Sequence, residues 1–274
     1  MEPVNDPVLR FAGVRFSYPG SRRFALDGIT LSVAPGEGVA LLGANGAGKT
    51  TLMRLAMAFM KPSGGEVRVA GRSTRGLDPE DIAAVAGYLF QHPESQLFER
   101  TVRAELAFGP KQLGWSAHRI AERVGAVLAE LELADAADEH PYDLPLPRRR
   151  LVALGAAIMA EPALLLLDEP TAGLDRHSRE LVTAVVRAHA DAGGAAVAVT
   201  HDTRFALEAL GRAVVLEQGK VVADAGTASV LSGSAGQLPM PAHAQIAERL
   251  ALGPASLRLR DVAAALAAHC SGER

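Results

Sequence analysis

The chain has 274 residues, a formal net charge of −3 and one cysteine, Cys270. This length can bury a sizeable core, the charge shows no basic excess of the kind that marks nucleic-acid binding, and one cysteine excludes an internal disulfide framework. The first residues lack a secretory pattern, and no run of about eighteen uncharged apolar residues occurs. We expect a cytoplasmic protein with no nucleic-acid partner that reaches a membrane only through another protein.

The opening segment is rich in strand patterns. Residues 8–11 and 14–18 have the composition of strands, and a Pro19-Gly20 turn separates them from another strand pattern at 29–33. This β-rich region precedes the first motif that indicates a ligand.

That motif is the glycine-rich stretch from Gly43 to Thr51, which fits the pattern GxxxxGK[ST]. It lies between a short apolar strand at 39–42 and a helical pattern that opens at Thr51. Glycines allow backbone N–H groups to point at phosphates, and the helix N-terminus adds positive potential. The stretch therefore predicts a nucleotide site; a tight turn without a ligand is the weaker alternative.

The loop residues are expected to share the work of holding the nucleotide. Lys49 reaches the outer phosphates, and the Thr50 hydroxyl can bind Mg²⁺. The residues expected to line the nucleotide in this loop are Gly43, Asn45, Gly46, Ala47, Gly48, Lys49, Thr50 and Thr51.

Helices and strands then alternate along the chain. Strand patterns at 66–70 and 87–90 precede a helical block from about 101 to 133, with one apolar stripe formed by Ile120, Val124, Val127, Leu128 and Leu131. The later patterns are a helix from Leu151, a strand at 164–167, a helix from about Ser178, a strand at 195–200, a helix near Phe205 and strands around Val214 and Val221. This order predicts a mostly parallel sheet covered on both faces, with the helical block as a separate lobe.

An apolar strand at 164–167 ends in two carboxylates, Asp168 and Glu169. Beside a phosphate loop, Asp168 is suited to bind Mg²⁺ through water. Glu169 is suited to orient or deprotonate the water that attacks the γ-phosphate. An acidic turn without function is the alternative for the pair taken alone.

The order of these motifs resembles that of the ATP-binding cassette (ABC) ATPases, from residue 8 to about 230. The resemblance implies that Tyr18 stacks on adenine, that Gln91 and His201 join Lys49 and Glu169 in catalysis, and that Gln91 also lies at the metal with Thr50 and Asp168. The segment 172–175 resembles the family's D-loop. Taken singly, Tyr18, Gln91, Asp175 and His201 also fit a sheet residue, a surface residue, a helix N-cap and a turn histidine.

The implied fold is an α/β P-loop ABC ATPase, with a mostly parallel core, an N-terminal antiparallel β region and an inserted helical subdomain. We expect the ATPase domain at 1–232, its helical subdomain at about 92–160, and a small helical appendage, used for dimer contact, at 233–274. The implied ligands are ATP and Mg²⁺.

A narrower resemblance comes from residues 90–98, Phe-Gln-His-Pro-Glu-Ser-Gln-Leu-Phe. Gln91 follows a strand as in the family's Q-loop, and this run is similar to the segment after the Q-loop in ATPases of energy-coupling factor importers, including those for cobalt and nickel. The stretch 238–241 with its two following helical patterns is similar to their extra C-terminal domain. We therefore expect an ATPase at the cytoplasmic face of the membrane that energises import of a vitamin or a transition-metal ion; the alternative for 90–98 is a surface loop.

One motif of the family is degenerate in this chain. Where the family carries LSGGQ, this sequence has Leu144, Pro145, Leu146 and Pro147, followed by an arginine triplet at 148–150. Proline donates no N–H, and Pro145 replaces the serine hydroxyl. A helix starting near Pro147 remains possible, and we expect the triplet to be a solvated basic turn, with added phosphate affinity as the alternative.

The missing LSGGQ, which is the family's signature motif, predicts the partners. In this family its serine hydroxyl and glycine N–H groups bind the γ-phosphate held by the opposite subunit. Because cassette dimers are head to tail, the defect harms the partner's site, and we expect a heterodimer with a second ABC ATPase that carries an intact signature, together with a transmembrane component. Two alternatives stay open: a regulatory subunit that binds nucleotide with little turnover, and a soluble ABC ATPase that does not serve transport.

Overall fold

The computed structural model of the protein describes residues 6–92 and 95–232. The predicted appendage at 233–274 lies outside the described residues, as do Pro93 and Glu94 of the 90–98 run. The division into domains therefore stays a prediction. None of the helices in the described part of the chain has the length and apolar content that crossing a bilayer takes.

The first strands form an antiparallel sheet. Its members are β1 (Leu9–Phe16), β2 (Leu26–Val33), β4 (Gly64–Val69) and β5 (Arg72–Ser73), in the order β2-β1-β4-β5. The two strands expected at 8–11 and 14–18 are wrong as separate elements, because β1 continues through them. A register shift between Phe11 and Val14, with Gly13 at φ +58°, absorbs the irregularity without ending the strand.

The second sheet is the mostly parallel one that the alternating pattern predicts. Its members are β3 (Gly38–Leu42), β6 (Ala86–Leu89), β7 (Leu164–Asp168), β8 (Ala195–Val199), β9 (Arg212–Glu217) and β10 (Lys220–Gly226), in the order β10-β9-β3-β8-β7-β6. Only the pairing of β10 with β9 is antiparallel among the described strand pairs of this sheet. The carboxyl ends of β3, β6, β7 and β8 therefore meet at one edge.

Both faces of this sheet are buried, which explains its continuous apolar strands. Successive side chains point to opposite faces, so Leu165 and Leu167 of β7 pack in one core cluster while Leu164 and Leu166 pack in another. The α-helices among the described residues are α1 (Lys49–Ala56), α2 (Pro79–Ala83), α3 (Val102–Gln112), α4 (Ala117–Glu130), α5 (Leu146–Ile158), α6 (Arg176–Asp191), α7 (Thr203–Ala209) and α8 (Thr227–Ser232).

The helical block packs through the stripe read from the sequence. All five of its apolar residues are buried, in the same cluster as Leu165 and Leu167. A turn divides the block, because Ser116 accepts the Arg119 N–H and starts α4 anew.

The helix α5 begins at Leu146, five residues before the expected start at Leu151. Pro147 lies in its first turn, where a missing N–H breaks no helical hydrogen bond. The solvated basic turn expected at 148–150 is therefore wrong, since the three arginines are helical.

Candidate functional site

A cavity of about 580 Å³ opens at the edge where the parallel strands end. Most of the residues proposed for the site line it, although they come from segments up to 183 residues apart, Tyr18 and His201 being the most distant. The lining residues among those proposed are Tyr18, Asn45, Gly46, Gly48, Lys49, Thr50, Thr51, Gln91, Asp168, Glu169 and His201. Gly43 and Ala47 belong to the same loop; Ala47 is buried, and Gly43 packs against the Leu216 carbonyl.

The phosphate loop connects β3 to α1. Gly48 immediately precedes the helix and has φ +109°, a backbone conformation that is strained for residues other than glycine. The Lys49 ammonium donates to the Gly43 carbonyl at 2.6 Å and to the Ala44 carbonyl at 3.0 Å. Burial lowers the pKa of Lys49, against the opposing fields of Glu169 and Asp168. The lysine ammonium thus bridges two carbonyls of the loop. Its positive charge would neutralise a phosphate bound there.

The two carboxylates stand at the end of β7. The Thr50 hydroxyl donates to Asp168 Oδ2 at 3.4 Å, which joins the phosphate loop to the acidic strand end. Burial raises the pKa of Asp168 and also that of Glu169, whereas the positive field of His201 lowers the latter. Glu169 has a left-handed backbone with φ +51°, an uncommon conformation for a residue other than glycine.

His201 follows β8 and lies beside Glu169. Its Nε2 is 3.5 Å from Glu169 Oε1, and its backbone N–H donates to Glu169 Oε2 at 3.3 Å. The imidazole is about half exposed, with 47% of its side-chain surface accessible. It therefore faces the cavity while the carboxylate beside it is largely covered.

Tyr18 also lines the cavity. Its hydroxyl is 2.9 Å from Thr51 Oγ1, and its ring meets Phe16 edge to face, with centroids 5.0 Å apart. The residue is 40% exposed. An edge-on neighbour leaves a ring face open to a flat apolar ligand.

The oxygen atoms at this edge fit Mg²⁺. Thr50, Asp168 and Gln91 would supply a hydroxyl, a carboxylate and an amide oxygen, the hard donors that magnesium prefers. No cluster of three or more His, Cys, Asp or Glu side chains suited to a metal occurs in residues 6–92 or 95–232. The donor set therefore suits a cation that keeps several waters and shares a phosphate, which is how Mg²⁺ binds with nucleotides.

Sequence reasoning missed two residues that shape the site. Arg150 donates to the backbone carbonyls of Glu169 and Gln91, at 3.0 Å and 3.2 Å. The Gln96 amide bridges the Tyr88 carbonyl and the Phe90 N–H, which braces the segment before Gln91. The available signal was the i, i+4, i+8 row of Arg150, Leu154 and Ile158, which lies on the buried face of α5.

The segment 172–175 does place a residue of the site, because Ala172 lines the cavity. The Asp175 side chain accepts the Ser178 N–H at 2.7 Å and caps α6. The helix consequently starts at Arg176, two residues before the expected position.

Comparisons with known proteins point to one family. The sequence profile described as ABC transporter matches residues 26–172. The chain is 37% identical over 238 residues to the nickel import ATP-binding protein NikO of Rhodobacter capsulatus, covering 84% of this chain and 93% of that protein.

A longer protein and a solved structure extend the comparison. The chain is 36% identical over 256 residues to a putative ABC transporter ATP-binding protein of Methanosarcina acetivorans, covering 90% of this chain but 41% of that one. It thus spans less than half the length of several curated relatives that it matches. The structure of cbiO1 from Clostridium perfringens, described as part of the ABC transporter complex cbiONQ, has a TM-score of 0.77 at 25% identity and covers 90% of this chain and 96% of cbiO1.

Proposed function

This chain belongs to the ABC transporter family of ATPases, and we propose that it is the ATP-hydrolysing subunit of an energy-coupling factor type importer for a vitamin or a transition-metal ion such as cobalt or nickel. The observation that carries the hydrolytic part is the convergence of the phosphate loop, Gln91, the β7 carboxylates and His201 on one cavity. The similarity to the nickel import ATP-binding protein supports the transport part.

In the proposed reaction, water attacks the γ-phosphorus of ATP, and the bond to the bridging oxygen between the β- and γ-phosphates breaks. Glu169 orients the water and accepts its proton, for which a pKa raised by burial is favourable. The products are ADP and inorganic phosphate.

The remaining residues hold the substrate. Lys49 moves its ammonium from the loop carbonyls to the outer phosphates, and His201 faces the γ-phosphate from the side of Glu169. Thr50, Gln91 and Asp168 would hold Mg²⁺, which would neutralise charge on the phosphate oxygens. Tyr18 stacks on the adenine.

The proposed docking surface for the membrane component is the region around Gln91 to Phe98, which adjoins a group of aromatic side chains. Phe59 stacks on Phe90 with centroids 6.0 Å apart, and Tyr88 meets Phe90 edge-on at 4.4 Å. Phe98 packs on Phe108 and is 62% exposed. Phe59, Phe90 and Phe98 are exposed, and Phe90 directly precedes Gln91 of the cavity lining, which suits a partner that must sense nucleotide occupancy.

The proposed partner in the ATPase dimer is a second, different cassette subunit, and the assembly lies peripherally at the cytoplasmic face of the membrane. At the start of α5, Pro145 and Leu146 are exposed and offer no hydroxyl to a phosphate across the dimer. A copy of this chain would carry the same defect.

Replacing Glu169 with Gln tests the proposed function. The tagged chain is purified from its native membranes with whatever proteins accompany it, and steady-state ATP hydrolysis is measured. We expect Glu169→Gln to lower kcat about 100-fold or more, because the substituted amide cannot accept the proton. The matched control is Glu217→Gln, an exposed glutamate at the end of β9, which should leave kcat unchanged.

Two results would contradict the proposal. A Glu169→Gln complex that retains its activity within about twofold favours the alternative that this chain is a regulatory subunit with little turnover. The proposed degenerate signature is the observation that supports this alternative. Recovery of the active chain without any membrane protein favours the soluble ABC ATPase.

A further inference from the structure

The arginine triplet at the start of α5 is divided between two directions. Arg148 pairs with Asp135 at 3.0 Å, and Arg149 donates to the Leu144 carbonyl at 2.7 Å, so both are engaged within the helical lobe. Arg150 instead turns toward the parallel sheet and is 9% exposed. A buried guanidinium is unusual unless its donors are engaged, and this one reaches two backbone carbonyls.

The first carbonyl belongs to the residue proposed as the general base. Arg150 Nη1 donates to the Glu169 carbonyl at 3.0 Å, and the Ala172 N–H donates to the same oxygen at 3.2 Å. The Glu169 N–H is held by the Val199 carbonyl at 2.9 Å. These contacts fix both sides of a residue whose left-handed backbone persists only where its surroundings enforce it.

The second carbonyl belongs to Gln91, the residue that follows the end of β6. Arg150 Nη2 donates to this oxygen at 3.2 Å. The Gln96 amide braces Tyr88 and Phe90 just before it, so Arg150 provides the contact at Gln91 itself. One planar group thereby sets the distance between two peptides whose side chains face the same cavity.

We propose that Arg150 is a positioning residue for ATP hydrolysis, which holds the Glu169 and Gln91 peptides in the arrangement that places the attacking water. This inference rests on the proposed function. The described residues that line the cavity do not include Arg150, so it acts through the two peptides and not on the nucleotide. The helix that has lost its signature contacts would still serve the nucleotide site of its own chain.

The chain offers a closely matched control in Arg123. Its Nη2 donates to a backbone carbonyl, that of Ile158 at the far end of α5, also at 3.2 Å. Its side chain is 24% exposed, and it lies away from the nucleotide cavity. Arg123 lies on α4, so Arg123→Met removes a guanidinium-to-carbonyl contact with the same helix, α5, away from the site.

The experiment compares Arg150→Met, Arg150→Lys and Arg123→Met in the complex purified from native membranes. We expect Arg150→Met to lower kcat about 10- to 100-fold while the Kd for ATP changes less than about threefold, because positioning is lost and nucleotide contacts remain. Arg150→Lys should recover part of kcat, since one ammonium can still donate to one carbonyl. Arg123→Met should keep the wild-type kcat.

Amide hydrogen exchange tests the contacts of Arg150 with the two carbonyls independently of catalysis. Peptides covering 87–92 and 165–171 should exchange faster in Arg150→Met than in Arg123→Met, in the absence of ATP. If the wild-type complex hydrolyses no ATP, the proposed function fails while this exchange result still decides whether Arg150 holds the two peptides.

Three outcomes would overturn the inference. They are equal kcat values for Arg150→Met and Arg123→Met, a loss of kcat that follows only the fraction of folded protein, and unchanged exchange in both peptides. If Arg150→Met does not fold, Arg150→Lys serves as the test. The inference then requires its kcat to be lower than that of Arg123→Met, with the Kd for ATP unchanged.

Discussion

At the scale of single residues, the cavity concentrates charges in a place that burial makes unfavourable for them. Burial raises the pKa values of Asp168 and Glu169 and lowers that of Lys49. Each shift disfavours the charged form in the protein without ligand. A nucleotide with its Mg²⁺ would supply the missing opposite charges, so the site is arranged for an occupant more than for stability.

The first prediction follows from the raised pKa of Glu169. A carboxyl whose pKa is higher in the folded than in the unfolded chain contributes stability below the unfolded pKa and loses it as pH rises through the folded pKa. Glu169→Gln removes that loss. Without nucleotide, its Tm should exceed that of the wild type by a few degrees at about pH 8, and the difference should vanish below about pH 4.

Thermal unfolding followed by circular dichroism across this pH range gives the measurement, with Glu217→Gln as the control that should show no pH-dependent difference. A Glu169→Gln protein less stable than the wild type at about pH 8 would mean that attraction to His201 and Lys49 outweighs burial.

The second prediction concerns Tyr18. Loss of the ring in Tyr18→Ala should raise the Kd for ATP about tenfold, because stacking on a base contributes about 1–3 kcal/mol. Tyr18→Phe keeps the ring and loses only the hydroxyl contact to Thr51, so its Kd should stay within about twofold.

Titration of the isolated chain with a fluorescent ATP analogue measures both variants. Tyr142→Ala, which removes a tyrosine of similar exposure on the helical lobe, should bind like the wild type. Equal weakening by Tyr18→Phe and Tyr18→Ala would assign the effect to the hydroxyl and not to stacking.

At the scale of elements, the sequence predicts best where one pattern fixes both the structure and its position. The short apolar run at 164–167 ends in two carboxylates and predicts a buried strand, and the phosphate loop carries its own strand and helix on either side. Parallel strands then bring Glu169 and His201 to one edge without any further information. Their convergence therefore followed from the order of motifs.

The arginine triplet shows where such reasoning ends. Three adjacent arginines look alike in a sequence, but successive residues on a helix point about 100° apart, so only one of them faces the sheet. Which one depends on where α5 starts, and Pro147 allowed more than one start. The partner atoms are backbone carbonyls of Glu169 and Gln91, which no residue pattern reports.

The third prediction uses two glycines of the phosphate loop. A Cβ on Gly48 would lie 2.7 Å from Leu26 Cδ2 and 2.8 Å from the Ala25 carbonyl, with φ at +109°. Gly48→Ala should therefore cost about 3 kcal/mol of unfolding free energy. Gly46 has φ +81° and no heavy atom within 4 Å of such a Cβ, so Gly46→Ala should cost only about 1 kcal/mol.

Urea unfolding without nucleotide compares the two variants. Because both change one loop glycine to alanine, their difference isolates the steric contact of Gly48 with β2 and the segment before it. Equal losses would show that the loop shifts to accommodate the methyl group and that backbone strain alone sets the cost.

At the scale of the whole molecule, the cavity and the segment proposed to be a degenerate signature lie on separate elements. The cavity gathers residues from 18 to 201, whereas the exposed Pro145 and Leu146 stand at the start of α5. In the proposed head-to-tail dimer, the cavity of each chain faces the signature segment of the other chain and not its own. The proposed loss of the signature would therefore leave the chain's own cavity residues intact and make its activity depend on what the proposed partner supplies.

The last prediction restores the signature in the chain itself. The isolated wild-type chain should hydrolyse ATP well below about 1 per second, because two copies lack the contacts to the γ-phosphate. Replacing Pro145 with Ser and both Leu146 and Pro147 with Gly should raise its kcat at least about tenfold, since the hydroxyl and the N–H donors return. The substitution should be tolerated, because serine is a favoured residue before a helix.

Adding Glu169→Gln to the restored chain provides the control. It should abolish the gain and leave an ATP-dependent dimer detectable by size-exclusion chromatography, which locates the recovered activity in the chain's own site. A wild-type chain that turns over at about 1 per second or faster alone would contradict the heterodimer. A restored chain that stays at the wild-type rate would show that another surface, and not the signature, prevents two copies from forming a working pair.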